Sequence, residues 1–186
     1  KDLLNFTKKI LSKAGFDNYS KNIISNCLCE TSLRGVDSHG IRLLYHYVNS
    51  ALKGKKNSNP KFKFSRSFPS VSVLEADRGF GHVAGFKAIE RGIKDANKFG
   101  ISMVVVKNST HPGALASIAI PAAKKGFATL AFTNTDSLML SHNGKKALLG
   151  TNPICFVVPN GEKEPFCLDM STTAYTYNKL LVIKKK

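Results

Sequence analysis

Leu3, Leu4, Thr7, Ile10, Leu11 and Ala14 recur at the three- and four-residue spacing of one helical face, and Gly15 is placed to end that helix. Tyr19, Ile23, Ile24, Cys27 and Leu28 predict a second amphipathic helix, with Asn18 or Ser20 near its start. A polar loop, Arg34-Gly35-Val36-Asp37-Ser38-His39-Gly40, comes next. Ile41, Leu44, Tyr45, Val48 and Leu52 then predict a third helix, with Asp37 or Ser38 as its N-cap and an end at Lys53-Gly54.

The texture changes at Val71. Val71-Ser72-Val73-Leu74 reads as a short strand and leads through a glycine-rich turn into a helix with Val83, Phe86, Ile89, Ile93 and Ala96 inward. The β-branched run Ile101 to Val106 predicts a buried strand. After the loop Asn108-Ser109-Thr110-His111-Pro112-Gly113 comes a helix of small residues, interrupted or begun anew near Pro121. Strands follow at 128–133, 154–158 and 166–168. Interleaved strands and helices make this region α/β. The expected organisation is a helical region over 1–56, a linker over 57–70 and an α/β domain over 71–186, without an internal repeat.

Composition narrows the class. With 42% hydrophobic residues the chain of 186 has material for a real core, and its apolar runs are too short to span a bilayer. The 28 Lys+Arg against 12 Asp+Glu give a net charge of +16, which raises phosphate-bearing partners. The excess is spread along the chain, is mostly lysine and is not interleaved with aromatics. Neither nucleic acid nor membrane is therefore expected as a partner. Cys27, Cys29, Cys155 and Cys167 lack zinc-type pairing and sit in apolar stretches, so reduced thiols and no metal site are expected. The segment at Lys1 is charged and amphipathic rather than a secretory signal, and a cytoplasmic location follows as the expectation.

Four places carry residues suited to chemistry. If Asp37 or Ser38 caps the third helix, His39 stands at its positive end, where an anion is favoured, and Arg42 lies in the same turn; together they suit a carboxylate. The plain alternative is a capping-loop histidine and a solvated arginine. His111 follows a predicted strand and precedes Pro112-Gly113, in the kind of loop where ligands collect in α/β sheets, or is an ordinary loop histidine. Gly79-Phe80-Gly81-His82-Val83-Ala84-Gly85 half resembles a dinucleotide fingerprint, but the third glycine is one residue late and Asp95 falls inside the helix, so it reads as a tight turn. Gly150-Thr151-Asn152-Pro153 and Asp169-Met170-Ser171-Thr172-Thr173 offer hydroxyl, amide and backbone donors beside strands. For the second of these, a strand end with an N-cap is the plainer reading. His46, His82 and His142 suggest surface or packing roles.

Taken in order, Arg34 to Gly40, Ser109 to Gly113, Gly150 to Pro153 and Asp169 to Thr173 resemble the type-2 malate/L-lactate dehydrogenase family. The resemblance covers essentially the whole chain. It implies a non-Rossmann mixed α/β cofactor domain and a cytoplasmic homodimer. It also implies hydride transfer between NAD or NADP and a small 2-oxo/2-hydroxy acid or cyclic imine. By the same resemblance His39 and His111 are joint candidates for the acid/base, and Ser38, Arg42 and Tyr47 face substrate. His111, Pro112, Gly113, Ala114 and Leu115, together with Thr135, Gly150, Thr151, Asn152, Pro153, Asp169, Met170 and Ser171, match cofactor-contact segments.

That reaction needs a proton donor whose pKa lies near neutrality and a cation to hold the carboxylate. By the same resemblance many relatives place an arginine where this chain has Leu43, and Arg42 lies one position earlier, about 100° away on a helix. Members of the family also continue beyond the point matching Lys186. The resemblance therefore implies an amino-terminal fragment, with weak cofactor binding and poor turnover. Two other readings are a non-catalytic remnant of such an enzyme and a basic nucleic-acid-binding module.

Overall fold

The computed structural model describes residues 1–174, which form two units divided after Ala114. In the first unit, helix α1 spans Asp2–Lys13 and α2 spans Asn18–Leu33. Gly15, at φ +82°, makes the left-handed turn between them that a side chain would oppose. The cap of α2 is Asp17, whose carboxylate accepts from the Ser20 backbone N–H at 2.7 Å.

The third helix does not begin where the spacing predicts. Two 3₁₀ turns, Asp37–His39 and Ile41–Leu43, precede α3, which spans Leu44–Leu52. Neither Asp37 nor Ser38 caps it. Gly40 accounts for the break: a Cβ there would meet the Ser32 backbone N at 3.1 Å and Cα at 3.2 Å, and the Ile41 N–H donates to Ser32 Oγ at 2.9 Å. The loop is bound to α2 before the helix can start. Leu44, Tyr47 and Val48 of α3 turn inward, whereas Tyr45 and Leu52, expected on that face, are exposed. The core of this part joins Leu11, Phe16, Ile24, Leu28, Leu44, Tyr47, Phe80 and Val83.

The stretch 57–70 is not a linker. Strand β1 (Lys63–Phe68) pairs antiparallel with β2 (Val71–Glu75), and β2 pairs parallel with β3 (Met103–Lys107) after crossing over through α4 (Gly81–Phe99). Asn57 is fixed as well: its side-chain amide donates to Asp77 at 2.9 Å and its backbone N–H to Arg78 O at 3.0 Å. These bonds hold the segment in the first unit, so the chain divides after Ala114 instead. Strand β3 is not buried throughout. Val104 and Val106 pack with Leu74, Ala76 and Ala84, while Met103 and Val105 face outward.

In the second unit, α5 (Ala116–Ala123) runs through Pro121 without a break. It covers one face of an antiparallel sheet of order β4–β7–β8, made of Thr129–Phe132, Ile154–Asn160 and Lys163–Met170. The hairpin β5 (Met139–Leu140) and β6 (Ala147–Leu149) lies outside that sheet and outside the expected strands. Leu115, Ala119, Ile120 and Ala123 meet Cys155 and Val157 in this core. All four cysteines are free thiols, Cys27 and Cys155 buried and Cys29 and Cys167 half-buried. Among the described residues no helix is long and apolar enough to cross a membrane.

Candidate functional site

The first unit gathers four of the five residues expected at the reacting centre. Tyr47 is fully buried in the helical core, and its phenol bonds His111 Nδ1 at 2.9 Å. His39 stacks on His111 with ring centroids 5.5 Å apart and planes 24° from parallel. Ser38 Oγ lies 2.9 Å from His39 Nδ1. Burial pushes the Tyr47 phenol well above its usual range, so its proton stays on oxygen. The phenol O–H donates to Nδ1 when that nitrogen is bare, and a protonated Nδ1 donates to the phenol oxygen, so the bond orients the ring in either state. Both rings are thus anchored at Nδ1 by a hydroxyl, which leaves Nε2 as the working position.

Arg42 is exposed in the second 3₁₀ turn, not in the first turn of an α-helix. His39 likewise closes a 3₁₀ turn rather than standing at the positive end of α3. Burial comes first and the Arg42 charge second, and together they hold the His39 pKa below the usual value. His111 is pushed down to about 3, first by burial and then by the charges of His39, Lys56 and His46.

Two residues at this site escaped the sequence reading. His82, from the glycine-rich turn, is completely buried, with its ring 5.3 Å edge-on from Tyr47 and its pKa lowered to about 3, chiefly by burial. That packing role fits the expectation for His82; its place beside the two candidate histidines was not foreseen. The local sequence contains the reason for the crowding. A Cβ on Gly81 would lie 2.6 Å from Pro112 Cα, and one on Gly113, at φ +69°, would run into the His82 ring. Only glycines let α4 and the His111 loop approach so closely. Lys56 is the second, its Nζ 5.0 Å from the Tyr47 ring centroid and 5.4 Å from that of Phe80.

Thr135, Gly150, Thr151, Asn152 and the Asp169 run lie in the second unit, and the expected segment His111 to Leu115 crosses the division after Ala114. Thr135 Oγ1 accepts from the Thr151 N–H at 2.7 Å, the Thr135 N–H donates to Asn152 Oδ1 at 3.1 Å, and Thr172 N–H donates to Thr151 O at 3.0 Å. A Cβ on Gly150 would lie 2.6 Å from Thr135 O, which explains the glycine. These groups hold one another in a compact polar turn, with Pro153 leading into β7. Asp169, at the end of β8, accepts from the Ala116 N–H at 2.8 Å and so caps α5. Met170 beside it is exposed, and the Ser171 hydroxyl donates to Thr173 O at 2.7 Å. Leu115 is buried against the sheet.

The residues fit a ligand carrying amide and carbonyl functions. Thr110 Oγ1 and His82 Nδ1 are buried with no hydrogen-bond partner, one beside His111 in sequence and the other packed on Gly113. No group of three His, Cys, Asp or Glu among the described residues is arranged to hold a metal.

Fold and geometry together define a mixed α/β protein carrying an anchored, half-buried imidazole pair. The family described as malate/L-lactate dehydrogenase matches residues 1–186, and the chain belongs to that family, whose members are dehydrogenases acting on 2-hydroxy acids. Among its relatives, the malate dehydrogenase of Pyrococcus abyssi is 38% identical over 185 residues, covering 100% of this chain and 51% of the relative. The ureidoglycolate dehydrogenase (NAD(+)) of Escherichia coli is 29% identical over 171 residues, covering 92% and 49%. The crystal structure of malate dehydrogenase from Entamoeba histolytica superposes with a TM-score of 0.94 at 32% identity, covering 98% of this chain and 51% of that one. The chain spans about half the length of the curated relatives it matches.

Proposed function

We propose that the protein is an NAD(P)-dependent oxidoreductase that interconverts a small 2-oxo acid and its 2-hydroxy acid, working as a homodimer. The observation that carries this reading is the pair His39 and His111, stacked and each held at Nδ1 by a hydroxyl. The nicotinamide dinucleotide supplies the hydride when bound. Pro112, Gly113, Ala114, Leu115, Thr135, Gly150 to Pro153 and Asp169 to Ser171 are the residues that would hold it.

The chain's own task is to handle a proton. As charge builds on the carbonyl oxygen, an imidazole Nε2–H donates to it, and in the oxidative direction a bare Nε2 receives the proton of the hydroxyl. Tyr47 and Ser38 fix the ring orientations, which keeps that nitrogen aimed. A neutral His111 with a pKa of about 3 is a poor acid by itself. A carboxylate arriving beside it adds a negative charge, which stabilises the imidazolium and moves its pKa back toward neutrality. Substrate binding therefore arms the donor.

The test is consumption of NADH and of NADPH with a panel of 2-oxo acids and cyclic imines, at enzyme concentrations high enough to detect slow turnover. His39→Gln and His111→Gln are assayed beside the wild type. One of the two should lower kcat by about 10²-fold or more, the usual worth of a positioned acid. If neither lowers turnover, the proton role assigned to the pair is wrong.

A further inference from the structure

We infer that Lys56 anchors the substrate carboxylate beside the His39–His111 pair, as a specificity-determining residue for the dehydrogenase reading above, on which this inference rests. Lys53 and Lys55 of the same loop are exposed, while Lys56 is half-buried over the rings of Tyr47 and Phe80. Neighbouring bonds fix the loop: the Lys56 N–H donates to Ser50 O at 3.3 Å and the Asn57 N–H to Arg78 O at 3.0 Å. The ammonium is thereby held near the imidazoles, close enough that its charge acts on both His82 and His111.

This is a costly place for a cation. Its surroundings are two aromatic faces and three histidines, His46, His82 and His111, and no carboxylate among the described residues forms an ion pair with it. Partial burial lowers its pKa. Ring faces recover part of the lost hydration, but an anion would recover more. The Tyr47 ring that Lys56 covers is the one whose hydroxyl holds His111, so an anion bound at Nζ sits at the proton-handling end of the site. That location favours the carboxylate of a reacting 2-oxo acid over a dinucleotide phosphate. Arg42 is exposed and acts on His39. Lys56 supplies a cation on the His111 side instead.

The experiment compares an acid with its neutral amide. Pyruvate and pyruvamide are titrated into the wild-type chain and into Lys56→Met, Lys56→Arg and Arg42→Met, following the histidine ring resonances by NMR. Turnover with each compound is measured in parallel. Lys56→Met should weaken pyruvate binding by about 10- to 100-fold, the usual worth of a charge-assisted bond. Pyruvamide binding and NADH affinity should stay unchanged, and Lys56→Arg should restore most of the pyruvate affinity. A purely structural role for Lys56 would weaken both compounds alike and would overturn the inference. So would a Lys56→Met protein that binds pyruvate as the wild type does, one that loses affinity for NADH instead, or acid–amide discrimination that vanishes only in Arg42→Met. A wild-type chain that responds to neither compound overturns the dehydrogenase reading and this inference with it. A response that survives Lys56→Met overturns the Lys56 assignment alone.

Discussion

Mild acid should destabilise this fold through its buried histidines. His82 and His111 have pKa values of about 3 in the folded chain against an ordinary 6.5, with burial as the main cause in both. Between those two values the unfolded chain binds protons that the folded chain refuses. Stability is then present above the unfolded-state pKa and is lost as the pH falls toward the folded-state value. From about pH 7.5 to about pH 5.5, each such histidine removes on the order of 1 to 2 kcal/mol, or roughly 3 kcal/mol for the pair. His39 and His46, also shifted downward, act in the same direction. Glu75 and Asp95 have lowered pKa values and take up protons only in stronger acid, outside this window. The chain has no tryptophan, so urea unfolding is followed by far-ultraviolet circular dichroism at the two pH values. The unfolding free energy should fall by about 3 kcal/mol, a large share of the roughly 5 to 15 kcal/mol of a typical domain. His82→Gln should remove about half of that dependence. Equal stability at both pH values, or the wild-type pH dependence in both His82→Gln and His111→Gln, would refute the claim that burial keeps these rings neutral.

Two further predictions concern how the site is supported. Asp95 is buried in α4 and paired with Arg91 at 2.6 Å and Arg66 at 2.8 Å, the latter tying the helix to strand β1. Asp95→Asn should lower the urea midpoint measurably at neutral pH, and the loss should shrink in acid below the ordinary aspartate range, where the wild-type carboxyl, held down chiefly by its bond to Arg91, at last takes up a proton. Gly81→Ala should cost about 1 to 3 kcal/mol and shift the His111 ring resonances, because the added carbon meets the Pro112 backbone rather than a side chain that can yield. Unchanged His111 shifts in a folded Gly81→Ala protein would contradict that account.

Periodicity found those elements whose faces differ. Helices α1, α2 and α4 appear where the apolar spacing places them, because each buries one stripe against the core. Strand β1 was lost in the supposed linker because every one of its six residues is exposed, so no alternation marks it. The late start of α3 was equally hidden. It depends on Gly40 lying against Ser32, eight positions away in sequence but adjacent in space. The domain boundary moved for a similar reason, since side-chain bonds from Asn57 and Asp77 are not written in hydropathy.

At the candidate site, what the sequence made visible depended on whether a residue lay in a motif. Ser-His-Gly and His-Pro-Gly mark His39 and His111 because unusual residues crowd together there, and the fold brings the two rings face to face. Lys56 has no such mark. In a chain with 28 basic side chains, one lysine in a run of polar residues looks like its neighbours, and only the fold separates Lys56 over the Tyr47 ring from Lys55 in solvent. The same separation changes the meaning of the +16 charge. A solvated lysine contributes to a diffuse field that salt screens within about 10 Å. A half-buried one keeps its field local and lowers the pKa of the imidazoles beside it, so that an arriving carboxylate is both attracted and put to use. The charge that matters chemically is therefore set by burial at one position, and the acid–amide comparison at Lys56 tests that distinction directly.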